Sequence, residues 1–504
     1  MGGEPLWWED AVVYEVYPRS FADSDGDGVG DLNGVRSRVT YLAELGVDAI
    51  WLTPFYPSPL ADGGYDVSDY CAVDPLLGSL DDFDNLVKDA AGHGIGVIVD
   101  IVPNHCSVEH PLFQAALAAR PGSTARDRFV FRPGNGDGSL PPNNWQSIFG
   151  GPAWTRVPDG QWYLHLFDSS QPDWNWHHDD VPGFFADVLR FWLDRGAAGL
   201  RIDVANSLFK DPELPDIPAG SRLHAPSPHH HRAELHGLYP SWRAILDSYP
   251  GGRTAIGEVW YDVPETLTPY LGSGGLPQVF NFQLLQAAWD ATALRTAIDT
   301  AQAITDGSRA PWVIGNHDVP RPVTRFGVRQ ARAAALLQLA LPGSAYLYQG
   351  EELGLPEVTD MPDEARRDPK FRRTAGLIPG RDGCRVPIPW SAASVTAPSW
   401  LPQPAGWGEY SVDRQAADPS SFLNLYRQAL RLRRANPALG TGTLRWLDGP
   451  PGTLTFAREP GFVFAANLSE DTLPLPPHGT ALLASGPIPN GTLPPHTAAW
   501  LATR

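Results

Sequence analysis

An arginine and an aspartate two residues apart close an apolar run in Gly199-Leu200-Arg201-Ile202-Asp203-Val204-Ala205-Asn206. Residues 198–204 read as a buried strand. Side chains two apart on a strand share a face, so Arg201 and Asp203 sit together where charge needs a partner or a task. Taken alone, the stretch fits a structural ion pair as well as a reactive carboxylate. Three more stretches repeat the pattern: GVIVDIVPNH at 96–105, TAIGEVW at 254–260 and WVIGNHD at 312–318. Each puts an acid at or near the C-terminal end of an apolar strand. Carboxyl groups brought together can divide acid and base or nucleophile roles between them.

The elements that would position these acids follow from what separates them. Amphipathic helical stretches alternate with the strands, which predicts a parallel sheet. In a closed parallel barrel the strand C-termini meet at one face, where active sites lie. Asp100, Asp203, Glu258 and Asp318 are thereby expected to be neighbours in space.

The motifs DIVPNH, GLRIDVAN, IGEVW and IGNHD, with QPDWNW at 171–176, resemble the α-amylase superfamily (glycoside hydrolase family thirteen) in order and approximate spacing. The likeness covers nearly the whole chain. GYDVSDY at 64–70, YQGEELGLPE at 348–357 and GRDGCRVPIPW at 380–390 look most like its α-glucosidase and oligo-1,6-glucosidase group. The resemblance implies an α/β fold: a (β/α)8 TIM barrel over 1–103 and 172–439, a small domain B inserted after strand three at 104–171, and a C-terminal antiparallel β domain at 440–504. It assigns Asp203 as nucleophile and Glu258 as acid/base of a retaining mechanism. Asp318 would be the third acid, binding ring hydroxyls with His317 and His105. Tyr65 would stack under the sugar, and Asp66 opposite Arg385 would clamp the terminal glucose. Val204, directly after the nucleophile, would influence linkage.

Local chemistry adds expectations of its own. Arg201 should favour an ionised Asp203. The apolar neighbours Gly257, Val259 and Trp260 should keep Glu258 protonated. The resemblance makes Asp100 a brace for Arg201. Water or a second sugar could intercept the intermediate, so glucosyl transfer and isomerisation remain open beside hydrolysis. A non-catalytic sugar binder should have lost an acid, and none is missing. Val319 departs from the family, where many relatives carry Gln; this bears on acceptor or linkage.

Near the N-terminus, Asp23-Ser24-Asp25-Gly26-Asp27-Gly28-Val29-Gly30-Asp31 alternates carboxylates with small residues. Such a run can wrap a hard cation in oxygen or form a solvated acidic turn. Position 34 is Gly, so the terminal Glu of an EF-hand is missing. The resemblance favours a structural divalent cation, calcium first, on Asp23, Asp25, Asp27, Asp31 and the Val29 carbonyl. His224, His229, His230, His231 and His236 lie in a Pro-rich stretch without metal-site spacing and read as loop.

A chain of 504 residues can hold a barrel of about 250 residues with added modules. A net charge of −19, with lysine only at positions 88, 210 and 370, argues against nucleic acid or an anionic membrane as partner. Cys71, Cys106 and Cys384 suggest no disulfide framework and a reducing compartment. The N-terminus has no secretory pattern and no apolar run reaches ~20 residues. The expectation is a cytoplasmic enzyme acting on small α-glucosides.

Residues 32–45 predict one helix stopped by Gly46, and Ser79 with Asp82 a capping box opening another. Strands are expected at 11–21, 47–52, 278–282, 312–316 and 344–348 as well. Beyond residue 439, short apolar runs between Gly and Pro predict the β domain.

Overall fold

The structure is a computed structural model that describes residues 6–261, 263–272, 274–305, 310–393, 399–477 and 479–503. The barrel begins with β1 (Val12–Val16), β2 (Ala49–Leu52) and β3 (Gly96–Ile101). The insertion after β3 holds β4 (Phe131–Pro133), β5 (Trp154–Arg156) and β6 (Gln161–Leu164). The barrel resumes with β7 (Gly199–Ile202), β8 (Thr254–Gly257), β9 (Gln278–Val279), β10 (Trp312–Val313) and β11 (Ala345–Tyr348). The eight barrel strands are parallel, in the order β10-β11-β1-β2-β3-β7-β8-β9. Chain order is thus kept around the ring, with the seam at the two shortest strands, β9 and β10.

Period-two alternation explains how one strand serves two purposes. Val13, Ala49, Ile98 and Ile256 fill the barrel interior with Phe280, Val313 and Tyr346. Two residues further along the same faces stand Glu15, Trp51, Asp100 and Glu258. An apolar plug therefore floors a polar layer at the C-terminal end. Asp100 of β3 lies in direct register with Arg201 of β7.

The insertion forms a small antiparallel sheet, β4-β6-β5. Its core of Trp145, Trp154, Leu164 and Leu166 includes Leu214, from the Pro-rich stretch after β7. The Trp145 indole donates to the Pro215 carbonyl at 2.9 Å. The Pro- and His-rich stretch is thus docked against the insertion, and the two rise together above the strand ends.

After the barrel come β12 (Arg445–Trp446), β13 (Thr453–Arg458), β14 (Phe462–Asn467), β15 (Leu473–Pro474), β16 (Thr480–Ala484), β17 (Thr492–Leu493) and β18 (Thr497–Ala502). Five make an antiparallel sheet, β12-β13-β14-β18-β16. It rests on the helix Val328–Ala340, where the Trp500 indole donates to the Leu336 carbonyl.

Several local expectations need correction. The first strand ends at Val16, because Pro18 starts a one-turn helix to Phe21. The helix over 32–45 is two, Leu32–Ser37 and Val39–Leu45, broken where Arg38 leaves helical geometry. Gly46, at φ +101°, ends the second as expected. The Ser79–Asp82 capping box is present at the head of Leu80–Gly92. Strands β9 and β10 are shorter than their apolar runs, because the chain turns toward the site directly after them.

Candidate active site

Arg201 is the hub. Its Nη1 lies 2.6 Å from Asp203 and 3.0 Å from Asp100, and its Nη2 lies 2.6 Å from Glu258. All four side chains are almost fully buried. One guanidinium therefore serves three carboxylates, which modifies the expectation for Asp203. Burial raises its pKa well above the carboxylate range, Glu258 and Asp100 add to that, and Arg201 only partly offsets them. Burial likewise lifts Asp100 to about 7 against the opposing pull of Arg201.

Glu258 is not in an apolar setting. Its Oε2 contacts Arg201 and accepts the Val204 N–H at 3.2 Å, and its Oε1 accepts the Trp260 indole at 2.9 Å. Of the residues that flank it in sequence, Trp260 meets it through its polar indole N–H, and its other neighbours are Arg201 of β7 and the Val204 N–H just beyond it. Val204 sits at φ +46°, a left-handed conformation rare for a β-branched residue.

Asp318 follows β10. Burial alone would raise it, but His317, Arg381, Arg385 and Arg201 hold it well below the ordinary range. His317 stacks on Tyr65 with ring centres 5.4 Å apart, and its Nε2 lies 2.8 Å from the Tyr65 hydroxyl. That hydroxyl donates to Asp100 at 3.0 Å. His105 lies within 3.1 Å of the Gln171 amide, and burial, helped by Lys210, lowers its pKa to about 3.

Asp203, Glu258, Asp318, Tyr65, His105 and Val204 all line one pocket of about 550 Å³. Arg201 and His317 lie directly beneath it. Two assigned residues do not take the places expected. Asp66 is buried under the loop, accepting the Ala61 and Asp62 N–H groups and the Ser58 hydroxyl, so no oxygen of it faces the pocket. Arg385 donates to the His317 carbonyl and to Asp318 from below, a brace rather than a clamp.

The clamp positions belong to residues the sequence reading missed, Asp62 and Arg381. Arg381 spans the pocket between them: it pairs with Asp62, with Asp318 at 3.2 Å and with Asp368 at 2.5 Å. Asp62 also accepts the Gln171 amide at 3.0 Å. The signals were close by: Asp62 precedes Tyr65 by three residues, and Arg381 shares the GRDGCRVP stretch with Arg385. Trp260 lines the pocket too, stacked on Phe282 at 4.2 Å.

In the acidic loop, carboxylate oxygens of Asp23, Asp25 and Asp27 lie within 4.8 Å of one another and all three residues are exposed. The set suits a hard cation. Asp31 is instead turned inward, accepting from the Ser24 hydroxyl and capping the helix Leu32–Ser37 through the Gly34 N–H. Val29 donates its N–H to Asp27. Among the described residues no helix is long and apolar enough to cross a membrane. His229 and His230 are buried in the docked stretch.

A buried nucleophile–arginine–acid constellation at the C-terminal face of a parallel barrel defines a glycoside-cleaving site. The family model for the α-amylase catalytic domain matches residues 15–442, and the chain belongs to that family of glycoside hydrolases. It is 38% identical over 490 residues to a probable α-glucosidase of Rhizobium meliloti, covering 90% of this chain and 87% of that one. It is 35% identical to the trehalose-6-phosphate hydrolase of Escherichia coli, covering 93% and 92%. Among solved structures, the α-glucosyl transfer enzyme XgtA superposes with a TM-score of 0.89 at 38% identity, over 99% of this chain and all of that one. The trehalulose synthase MutB from Pseudomonas mesoacidophila superposes at 0.91 with 29% identity, over the whole of both chains.

Proposed function

We propose that this chain is a retaining, exo-acting α-glucosidase that removes one glucose from the non-reducing end of short saccharides. One observation carries the reading: Arg381 bridges Asp62 and Asp318 at the end of the pocket that holds Asp203 and Glu258. A bridge there leaves room for one terminal sugar beyond the acids, and a polymer cannot thread past it.

In the reaction, Asp203 attacks the anomeric carbon while Glu258 gives its proton to the leaving oxygen. The glycosidic bond breaks as the Asp203 ester forms. Glu258, now a base, takes a proton from water, which cleaves the ester and returns Asp203. Asp318, His317 and His105 hold hydroxyls of the ring, and Asp318 stabilises the positive charge developing on it.

Transfer of glucose to a second sugar is the other reading. XgtA is by name an α-glucosyl transfer enzyme and MutB a trehalulose synthase, and Val319 lines the pocket wall where an acceptor would lie. Treatment with a fluorosugar that traps the intermediate should add one sugar at Asp203, seen by intact mass and peptide mapping. Time courses on maltose, isomaltose, sucrose and trehalose then separate hydrolysis from transfer. An adduct on Glu258 instead would reverse the roles.

Asp23, Asp25 and Asp27 are proposed to hold a calcium ion, with the Val29 carbonyl joining it, while Asp31, whose oxygens accept from Ser24 and Gly34, caps the following helix instead; the ion would supply stiffness, not chemistry. The convergence of three carboxylates supports this. A reducing, cytoplasmic location is proposed on the three free thiols of Cys71, Cys106 and Cys384. The division at residues 103, 171 and 439 into barrel, inserted domain B and β domain is proposed on the same sequence grounds.

A further inference from the structure

Glu15 has no part in the reaction as described, yet it points into the polar layer from the end of β1. It is 2% exposed, and its Oε1 is in short contact with Nδ1 of His317. The other ring nitrogen, Nε2, lies 2.8 Å from the Tyr65 hydroxyl and 3.5 Å from Asp318. His317 thus has Glu15 at its back and the pocket at its front.

Where the protons sit follows from counting donors. The Tyr65 hydroxyl has a single proton, and Asp100 accepts at 3.0 Å from it. If Tyr65 donates to Asp100, then Nε2 must donate to the Tyr65 oxygen. An unprotonated Nε2 would set its lone pair against the Asp318 carboxylate and take the Tyr65 proton from Asp100. With Nε2–H in place, Nδ1 and Glu15 need one more proton between them. A neutral Glu15 donating to Nδ1 supplies it, and so does an ionised Glu15 facing an imidazolium. Both arrangements give the same front face.

We propose that Glu15 is a positioning residue that shares one proton with His317, so that while the pair holds that proton Nε2 presents an N–H to the sugar. The idea rests on the glucosidase reading above and deepens it. Burial, and then Asp318, hold Glu15 well above the carboxylate range, in keeping with a retained proton. The charged and titratable groups around the pair come from every neighbouring strand end. Arg201, Asp100 and Asp318 act on Glu15; Arg381, Arg385, Arg201 and Asp318 act on His317. Tyr17, Tyr65, Tyr348 and Cys384 complete the surroundings. As pH rises the pair loses its shared proton, the proton left on the ring moves from Nε2 to Nδ1 to meet the now ionised Glu15, and the front of the ring turns from donor to acceptor.

Two variants separate this from mere packing. Glu15→Gln can donate its amide N–H to Nδ1 and fix the same tautomer, so kcat/KM should stay within about threefold. Glu15→Leu cannot, and should lose about tenfold or more. Glucose, a neutral competitive inhibitor, should bind the native protein more weakly as pH rises, and this dependence should flatten in Glu15→Gln. In the native protein at neutral pH, nitrogen-15 spectra should show Nε2 of His317 protonated. A bare Nε2 there overturns the proposal even if no variant folds, as does full activity in Glu15→Leu or equal damage in both variants. If the native protein cleaves no α-glucoside, the functional reading fails, while the spectrum still decides the shared proton.

Discussion

The Oε2 of Glu258 lies 2.6 Å from Nη2 of Arg201, the same distance that separates Arg201 from Asp203. The proton donor and the nucleophile are therefore tied to one cation. A guanidinium can fork to both, and an ammonium is a single point charge. Arg201→Lys should keep the charge but lose the fork. Its kcat/KM should fall at least 100-fold, with lower thermal stability. Arg201→Leu should do worse, since removing one partner of a buried pair costs about 3–5 kcal/mol and three carboxylates are left behind. Denaturant unfolding and steady-state kinetics check both; normal turnover in Arg201→Lys would contradict the shared-cation view.

Asp62 and Asp66 are four residues apart and make opposite predictions. Asp62→Ala opens the contact with Arg381 inside the pocket. Hydrogen bonds to charged groups contribute about 1.5–3 kcal/mol each, so kcat/KM should drop by 10- to 100-fold or more while the fold persists. Asp66→Ala strips three donors of their acceptor beneath the loop. Thermal stability should fall first, with kcat/KM following only as the loop loosens. Comparing melting temperature with kcat/KM for the two variants decides which carboxylate meets the sugar.

The same comparison shows what the sequence could reveal. The catalytic acids were legible because each ends an apolar strand, and parallel strands deliver their ends to one place. Period two even places Glu15 on the inner face of β1, two residues beyond Val13. Asp62 and Arg381 stand on loops, where no period fixes direction. In a stretch holding Asp62 and Asp66, or Arg381 and Arg385, only the folded hydrogen bonds decide which side chain turns inward. Glu258 misled for a related reason: its chain neighbours are apolar, but the groups that reach its carboxylate are polar, the Trp260 indole N–H and, from the adjacent strand and its turn, Arg201 and the Val204 N–H.

The acidic loop allows the cation to be separated from the helix cap. Asp31 caps the helix Leu32–Ser37 through the Gly34 N–H. Asp31→Ala should cost about 1 kcal/mol with or without calcium. Asp25→Ala should be near neutral in chelator and less stable than the parent only with calcium, whereas Asp23→Ala, which also frees the N–H groups of Asp25, Gly26 and Gly28, should lose some stability in chelator and more with calcium. Thermal melts of all three at matched calcium and chelator settle the matter; calcium-independent loss in Asp25→Ala would remove the ion from this loop.

Protonation of Asp62 links stability to pH. Burial lifts its pKa to about 6 despite Arg381 and Arg385, against about 3.9 in an unfolded chain. The folded state then binds the extra proton in the interval between the two values. The stabilisation is complete below about pH 3.9 and is lost as pH rises through about 6. Asp62→Asn lacks this proton exchange. Between about pH 4 and pH 6 the stability difference between parent and Asn variant should shift in favour of Asn by on the order of 2–3 kcal/mol. Chemical denaturation across that range reads it directly. A pH-independent difference would mean that Arg381 keeps Asp62 ionised throughout.

Val204 carries the last prediction because its backbone and side chain serve different ends. Its φ of +46° is unfavourable for a β-branched residue, and such strain is of order 1–3 kcal/mol. The strained turn aims its N–H at Glu258, 3.2 Å from Oε2, directly after the nucleophile. Its side chain lines the pocket beside Trp260 and Val319, where the leaving sugar must lie. Val204→Gly relieves the strain and leaves the N–H in place. The variant should unfold at about 1 kcal/mol greater stability, less the entropy that glycine adds to the unfolded chain. Turnover on an activated aryl glucoside, which needs little help in leaving, should change less than threefold. Discrimination between maltose and isomaltose should move, since one apolar side chain is worth about 1–3 kcal/mol of selectivity. Val204→Ala shortens the wall and keeps the strain, so it should shift the same ratio without the gain in stability. If both variants leave the ratio untouched, the side chain takes no part in linkage choice; if Val204→Gly is less stable than the parent, the turn is not strained.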